Sequence, residues 1–322
     1  MFTHSIVVQN EDVTAGTSPS YDLPVSPMSH LLLTLKFTQT AEVLQCPFMD
    51  IPALLAKVEV LYKGAGVTSL NGIDLLACGI LICDFESWGV NATGQPEAER
   101  SLTFLVPFGR QLYSPIECYP STSRGELILQ VTYQGTFSTY IDNVKLQVEA
   151  VELPDAHPER FLKMTTSFIT PTAVADYDVE LPIGNQISDI VLWGTTFPAA
   201  NADTASISQI QIRKNNSEFM YSKTNYETLH NMMGRMRCPP GYWGLHTHDA
   251  LETPQVVQAA DSIVDPNNHI LKQHLLVPFD VRRDGQHILR TDDANDLNIR
   301  ISPDDQLAVR VIPCEVVAIS AR

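Results

Sequence analysis

The stretch Gly244-Leu245-His246-Thr247-His248-Asp249-Ala250-Leu251-Glu252 carries the residue types most able to do chemistry. On a strand, residues two apart share a face, so His246 and His248 could point together at one divalent metal ion. Glu252, four residues on, could supply an oxygen ligand, and His269 and His274 are the nearest later histidines that could complete the set. The run Asp292-Asp293-Ala294-Asn295-Asp296, with Asp304 and Asp305 beyond it, offers carboxylates for Ca²⁺. It lacks the spacing of an EF-hand loop, so solvated acidic turns are the simpler reading. Arg235, Arg237, Arg282 and Arg283 could form a local basic patch, although solvation at the surface explains them equally well. There is no G-x-S-x-G, no phosphate loop, no H-E-x-x-H and no dinucleotide fingerprint.

Charge narrows the field of partners. With 21 basic and 37 acidic residues the chain carries a net charge of −16, which argues against wrapping nucleic acid, since that needs a basic face. Trp88, Trp193, Tyr242 and Trp243 do not alternate with basic residues, so a single-strand stacking platform is not indicated. The six cysteines (Cys46, Cys78, Cys83, Cys118, Cys238, Cys314) form no C-x-x-C pair, and several lie in apolar, strand-like runs such as Ala77-Cys78-Gly79-Ile80-Leu81-Ile82-Cys83. They read as buried reduced thiols in a protein folded in a reducing cytoplasm. The first residues lack the charged and apolar regions of a signal peptide. No run approaches the ~18 apolar residues of a membrane span.

The elements that must position these residues are mostly strands. Candidates are 5–8, 30–37, 57–62, 101–108, 126–133 and 143–153, then 166–170, 187–193, 207–213, 271–279, 296–302 and 306–312. Lys57-Val58-Glu59-Val60 alternates polar and apolar, which predicts one buried face. Lys63-Gly64-Ala65-Gly66 supplies a turn. Asn71 is a candidate cap for a short helix over 71–77. Thr224 or Asn225, with Glu227 in capping-box position, opens a second helix to Met233, where Tyr226, Leu229, Met232 and Met233 recur at packing spacing. Pro154 to Arg160, with two prolines and no apolar periodicity, reads as a linker. Residues 234–268 read as a long insertion.

The chain also repeats itself. Leu105-Val106-Pro107-Phe108 returns as Leu276-Val277-Pro278-Phe279, an offset of 171 (276 − 105). Four weaker echoes keep the same order: Leu23-Pro24-Val25 with Leu181-Pro182-Ile183, Leu55–Val60 with Ile207–Ile212, Glu126–Thr132 with Asp296–Ser302, and Leu146, Val148 and Ala150 with Leu307, Val309 and Val311. A duplicated unit of about 160 residues follows, with 1–155 as the first domain and 160–322 as the second. Seven or eight short strands, one helix and long connections per unit predict an all-β chain. Its form would be two tandem antiparallel jelly-roll β-sandwiches with short helices in the loops.

Two resemblances follow from these residues. The H-x-H-x-x-x-E spacing of His246, His248 and Glu252 resembles the first half of the cupin metal motif and implies a metal-dependent bicupin enzyme. The glycine expected after the glutamate is missing, and the first unit has Asp84-Phe85-Glu86-Ser87-Trp88-Gly89, without histidine, at the corresponding place. The duplicated architecture resembles the double jelly-roll major capsid proteins of tailless icosahedral viruses, the lineage that includes adenovirus and several tailless phages. Its carriers are the Leu-Val-Pro-Phe segments at 105 and 276, the strand-turn-helix stretches 55–77 and 207–233, and Phe108-Gly109-Arg110-Gln111-Leu112-Tyr113-Ser114-Pro115. That resemblance implies a compact phage-type structural protein of the virion, assembled in the host cytoplasm, without catalysis, catalytic residues, cofactor or metal. It implies homotrimers whose six barrels make a pseudo-hexagonal tile, with loops at the trimer contacts. Its partners would be neighbouring capsomers, vertex (penton) and minor capsid proteins and, in some members, an internal membrane. Residues 1–22 contain no Lys or Arg, a departure from members whose basic terminal segment touches that membrane. A carbohydrate- or receptor-binding sandwich, with Trp243 and Tyr242 lining a groove, is a third reading.

Overall fold

The computed structural model describes residues 1–40, 49–85, 89–90, 99–197, 204–236 and 271–319. Up to residue 152 it contains β1 (Thr3–Asp12), β2 (Ser20–Asp22), β3 (Met28–Gln39), the single turn α1 (Asp50–Ala53), β4 (Leu55–Tyr62) and β5 (Ala65–Leu70). These are followed by α2 (Gly72–Cys83), β6 (Gly89–Val90), β7 (Glu99–Pro107), β8 (Leu127–Tyr133) and β9 (Ile141–Glu152). From residue 160 come β10 (Arg160–Thr165), β11 (Ser167–Ile169), β12 (Tyr177–Glu180), β13 (Gln186–Gly194), β14 (Gln209–Lys214) and β15 (Ser217–Glu218). Then follow β16 (Thr224–Asn225), α3 (Tyr226–Met236), β17 (His274–Pro278), β18 (Leu297–Ser302) and β19 (Val309–Ala318).

Local sequence explains most of these elements. In β8 every second side chain is buried, from Leu127 through Leu129 and Val131 to Tyr133, the period of a half-covered strand. β4 turns into β5 through Lys63 and Gly64, both at positive φ (50° and 83°), between the paired residues Tyr62 and Ala65. Two left-handed residues are what a tight hairpin needs, and glycine supplies one at no steric cost.

The sheet orders define the fold. In the first half, the strands β1-β9-β3-β7 form one sheet, extended by β6, and β2-β8-β4-β5 form the other. In the second half the orders are β10-β19-β13-β17 and β12-β18-β14-β15. Numbering the principal strands of each half one to eight, both halves give 1-8-3-6 and 2-7-4-5. Each half is therefore a jelly roll, and the helices α2 and α3 both follow the fifth strand. The apolar interior divides accordingly: one cluster fills the first roll through Leu31, Leu33, Leu35, Val58 and Phe104, and another fills the second through Ile190, Leu192, Ile210, Ile212 and Val277.

Four of the five sequence echoes fall on topologically matching places. Leu-Val-Pro-Phe belongs to the sixth strand of each roll, β7 and β17. One echo is displaced. Pro107 and Pro278 stand opposite His30 and Asp189, which stand opposite Val151 and Cys314. Val151 and Cys314 are thus equivalent, an offset of 163 (314 − 151) rather than the 161 of the sequence match. The slip of two residues preserves the face, which is why the apolar pattern concealed it. Two further expectations need correction. The run Ala77–Cys83 is helical, the second half of α2, and the strand β10 begins at the end of the expected linker.

Candidate functional site: the seam between the jelly rolls

Every ladder among the described residues is antiparallel except one. β10, the first strand of the second roll, pairs in parallel with β5, the fifth strand of the first, through Met164–Thr68 and Thr165–Ser69. Its other edge pairs with β19. The strand β10 therefore welds a sheet of one roll to a sheet of the other. The Leu162 amide adds a bond to the Phe108 carbonyl (2.8 Å).

Helix α2 seals the seam. Asn71 starts it, its Oδ1 accepting from the Asp74 amide at 2.7 Å, and Asp84 ends it in the left-handed region (φ 53°). Nearly all of its residues from Gly72 to Ile82 are buried, and its cluster reaches Val191, Leu276, Ile312 and Cys314 of the second roll. Asp74, fully buried, meets side chains from two strands of that roll. Arg310 on β19 donates Nε to Oδ2 (2.6 Å) and Nη2 to Oδ1 (2.8 Å). His274 Nε2 on β17 lies 3.2 Å from Oδ1. The Arg310 guanidinium stacks 3.5 Å from the ring centre of Trp193 on β13. Burial alone would raise the Asp74 pKa, but the hydrogen bonds and charges of His274 and Arg310 hold it below the ordinary carboxylate value. Burial drives His274 the other way, down from its ordinary value, against the pull of Asp74. Asp74, Arg310 and His274 thus form one buried polar group that joins the helix to the second roll.

A second buried charge group lies beside β10. Arg110 follows the first Leu-Val-Pro-Phe segment, and Asp280 follows the second. The Arg110 side chain donates Nε and Nη2 to Glu117 (2.8 and 2.9 Å) and Nη1 to Asp280, while its amide donates to Glu117 Oε1 (2.7 Å). Arg160 at the start of β10 adds Nε to Glu117 Oε2 at 2.9 Å. Burial would raise the Glu117 pKa, yet Arg110 and Arg160 keep it depressed. Arg283 of the second roll reaches Asp84 at the end of α2, 2.8 Å away.

Gly109 is required by a close approach. A Cβ there would lie 2.1 Å from the Glu117 carbonyl oxygen. Gly109→Ala is expected to push Glu117 off Arg110 and to cost on the order of 2–4 kcal/mol, read as a lower Tm. An unchanged Tm would remove this account.

The sequence-derived site residues fare differently. His246, His248, Glu252 and His269 lie outside the described residues, as do Tyr242, Trp243, Trp88, Arg237, Cys46 and Cys238. His274 is engaged at the seam. The acidic turns bind their own chain: Asp293 pairs with Lys214, Asp305 accepts from Ser206, and Asp296 accepts from Asn298. Among the described residues, no group of three or more His, Cys, Asp or Glu is placed to hold a metal ion, and no helix is long and apolar enough to cross a membrane. Cys78, Cys83, Cys118 and Cys314 are free thiols, and burial pushes Cys83 up to about 12 and Cys118 to about 11. The seam residues themselves were missed by sequence reasoning. Their signal was the pair of opposite charges, Arg110 and Asp280, that follow the repeated tetrapeptide.

Two jelly rolls of one strand order, joined through a shared sheet, make the chain a double jelly roll. Solved structures share it over the whole chain. The STIV MCP, from Sulfolobus Turreted Icosahedral Virus, aligns with a TM-score of 0.69 at 12% identity, covering 99% of this chain and 97% of that one. The major capsid protein P2 from Bacteriophage PM2 aligns at 0.62 and 12%, covering 100% and 99%. The PBCV-1 virus capsid aligns at 0.61 and 9%, covering 98% and 93%. At these identities the likeness is one of fold. No family model and no curated protein sequence matches the chain.

Proposed function

We propose that this chain is a major capsid protein, a structural component of an icosahedral virion without catalytic activity. The observation that carries the reading is the rigid coupling of two rolls of identical topology, on a fold that major capsid proteins share from end to end. Three such chains place six similar rolls around one axis, and closed cyclic symmetry is the usual outcome for oligomers. The capsomer is then a pseudo-hexagonal homotrimer that packs against its neighbours in the shell, with vertex and minor capsid proteins, and an internal membrane where one exists, as further partners. The chain divides at residues 155–160 into two domains that act as one block, because the seam buries charge on both sides of that division. Inward-facing positions of both rolls are filled by leucine, isoleucine, valine and phenylalanine, which suits a packed structural sandwich.

Light scattering with metal analysis on one sample tests the reading. A trimer of about three times the 35.7 kDa chain mass without bound metal is expected. A monomer or dimer holding one metal per chain would replace it with the bicupin reading centred on His246, His248 and Glu252.

A further inference from the structure

One end of the second roll brings an amine, a carboxylate and a carboxamide together. Alternation along β19 puts Glu315 on the face of Val309 and Val311, which line the interior of that roll. Its side chain is 2% exposed. Lys163 on β10 stands opposite it in the ladder, and the Lys163 Nζ donates to Oε1 at 2.8 Å. Asn185, the residue before β13, donates Nδ2 to Oε2 of the same carboxylate at 2.7 Å. Side chains from the two strands that flank β19 therefore meet over one buried anion.

The surroundings hold this arrangement in place. Thr291, fully buried, donates its Oγ1 to the Asn185 carbonyl and accepts from the Gly184 amide at 2.9 Å. The Lys163 side chain is 30% exposed, which leaves a way out for a small product.

The first roll shares the carboxylate but neither of its partners. Thr3 stands opposite Glu152 as Lys163 stands opposite Glu315. Pro27 precedes β3 as Asn185 precedes β13, and Glu152 accepts from the Ser5 hydroxyl (2.7 Å). An ion pair requires the lysine alone. It does not require a primary carboxamide on the second oxygen. A carboxylate bonded to an amine on one side and an amide nitrogen on the other can take a proton from the first and give one to the second. Those are the two transfers that convert an amine and a carboxamide into a single amide.

We propose that Lys163 and Asn185 join in an intramolecular isopeptide bond, with Glu315 as the catalytic acid and base. Glu315 takes one proton from the Lys163 ammonium, and the freed Nζ electron pair forms a bond to Asn185 Cγ. Glu315 then passes its proton to Nδ2 and takes another from Nζ. The Cγ–Nδ2 bond breaks, ammonia leaves, and the proton on Glu315 departs with it as ammonium. No oxidant or cofactor enters the balance. The link runs from β10 across β19 to the head of β13, and β10 also pairs with β5 of the first roll. It constrains the unfolded chain as a disulfide does, yet no reductant opens it. Because it lies within one chain, it holds or fails independently of the capsid reading.

Mass spectrometry of the full folded chain tests the bond. The wild type is expected to be lighter by one ammonia. No lysine or arginine lies between Lys163 and Arg213, so a blocked tryptic cut after Lys163 leaves one fragment, 161–213, that carries the whole loss. Lys163→Arg, which keeps the positive charge opposite Glu315, and Glu315→Gln are both expected at full mass. A wild type at full mass overturns the proposal. So does an ammonia loss with normal cleavage after Lys163, which would place the loss in a succinimide instead. Equal cross-linking in Glu315→Gln overturns the role of Glu315.

Discussion

Arg110→Met is expected to lower the stability of the folded chain by about 3–5 kcal/mol, the usual cost of removing one partner from a buried ion pair. The side chain is 2% exposed and carries bonds to both Glu117 and Asp280. Without it Asp280 loses its buried cation, and Glu117 keeps the half-exposed Arg160 as its cation together with the amide of residue 110. Methionine fills most of the volume, so the loss reports on charge rather than on a cavity. The companion variant Arg110→Met with Glu117→Leu and Asp280→Leu should recover much of the stability, since a buried charge group and an apolar replacement of similar volume are nearly equal in energy. Denaturant titration decides it. A single variant within about 1 kcal/mol of wild type would mean that the seam is not held by these charges.

Acidification from pH 7 to pH 5 is the second large effect. Burial, with His4 adding a little, pushes His30 down to about 4, and burial does the same to His230. His274 moves in the same direction at the seam. The unfolded chain takes up protons below about pH 6.5 that these folded rings refuse. Stability is therefore fully present above that pH and is lost as pH falls toward 4. By pH 5 His30 and His230 should each remove about 2 kcal/mol, at roughly 1.4 kcal/mol per pH unit. Asp74 and Glu117, held low by their cations, add to the loss in stronger acid. A denaturation free energy that stays flat from pH 7 to pH 5 would contradict this, and His30→Phe should reduce the slope.

The strands with one wet face were legible in the sequence, because alternation in β4 and β8 is a direct image of burial. So was the Asn71 cap. Helix α2 was only half legible: packed between two rolls, it is apolar all round, and a helix buried on every side has no 3.6-residue stripe to reveal it. Hence Ala77–Cys83 resembled a strand. β10 was hidden by brevity and by the prolines before it, and its importance lies in a partner about a hundred residues upstream that no local pattern encodes. Asp74, Arg110, Glu117 and Asp280 were invisible for another reason. Hydropathy assigns charges to the surface, and only the three-dimensional meeting of two repeats makes them interior.

The parallel ladder of β10 also sets an order of events during synthesis. The first roll is finished when β9 ends at Glu152, whereas β10 must wait for β19, which begins at Val309. At ribosomal speeds of about 5–20 residues per second, that wait is roughly 8–30 s. Throughout it, the β5 edge, the Phe108 carbonyl and Glu117 of the first roll are already in place for β10 to use. The finished roll acts as a mould for the emerging one, and the second half of the molecule is cast against the first.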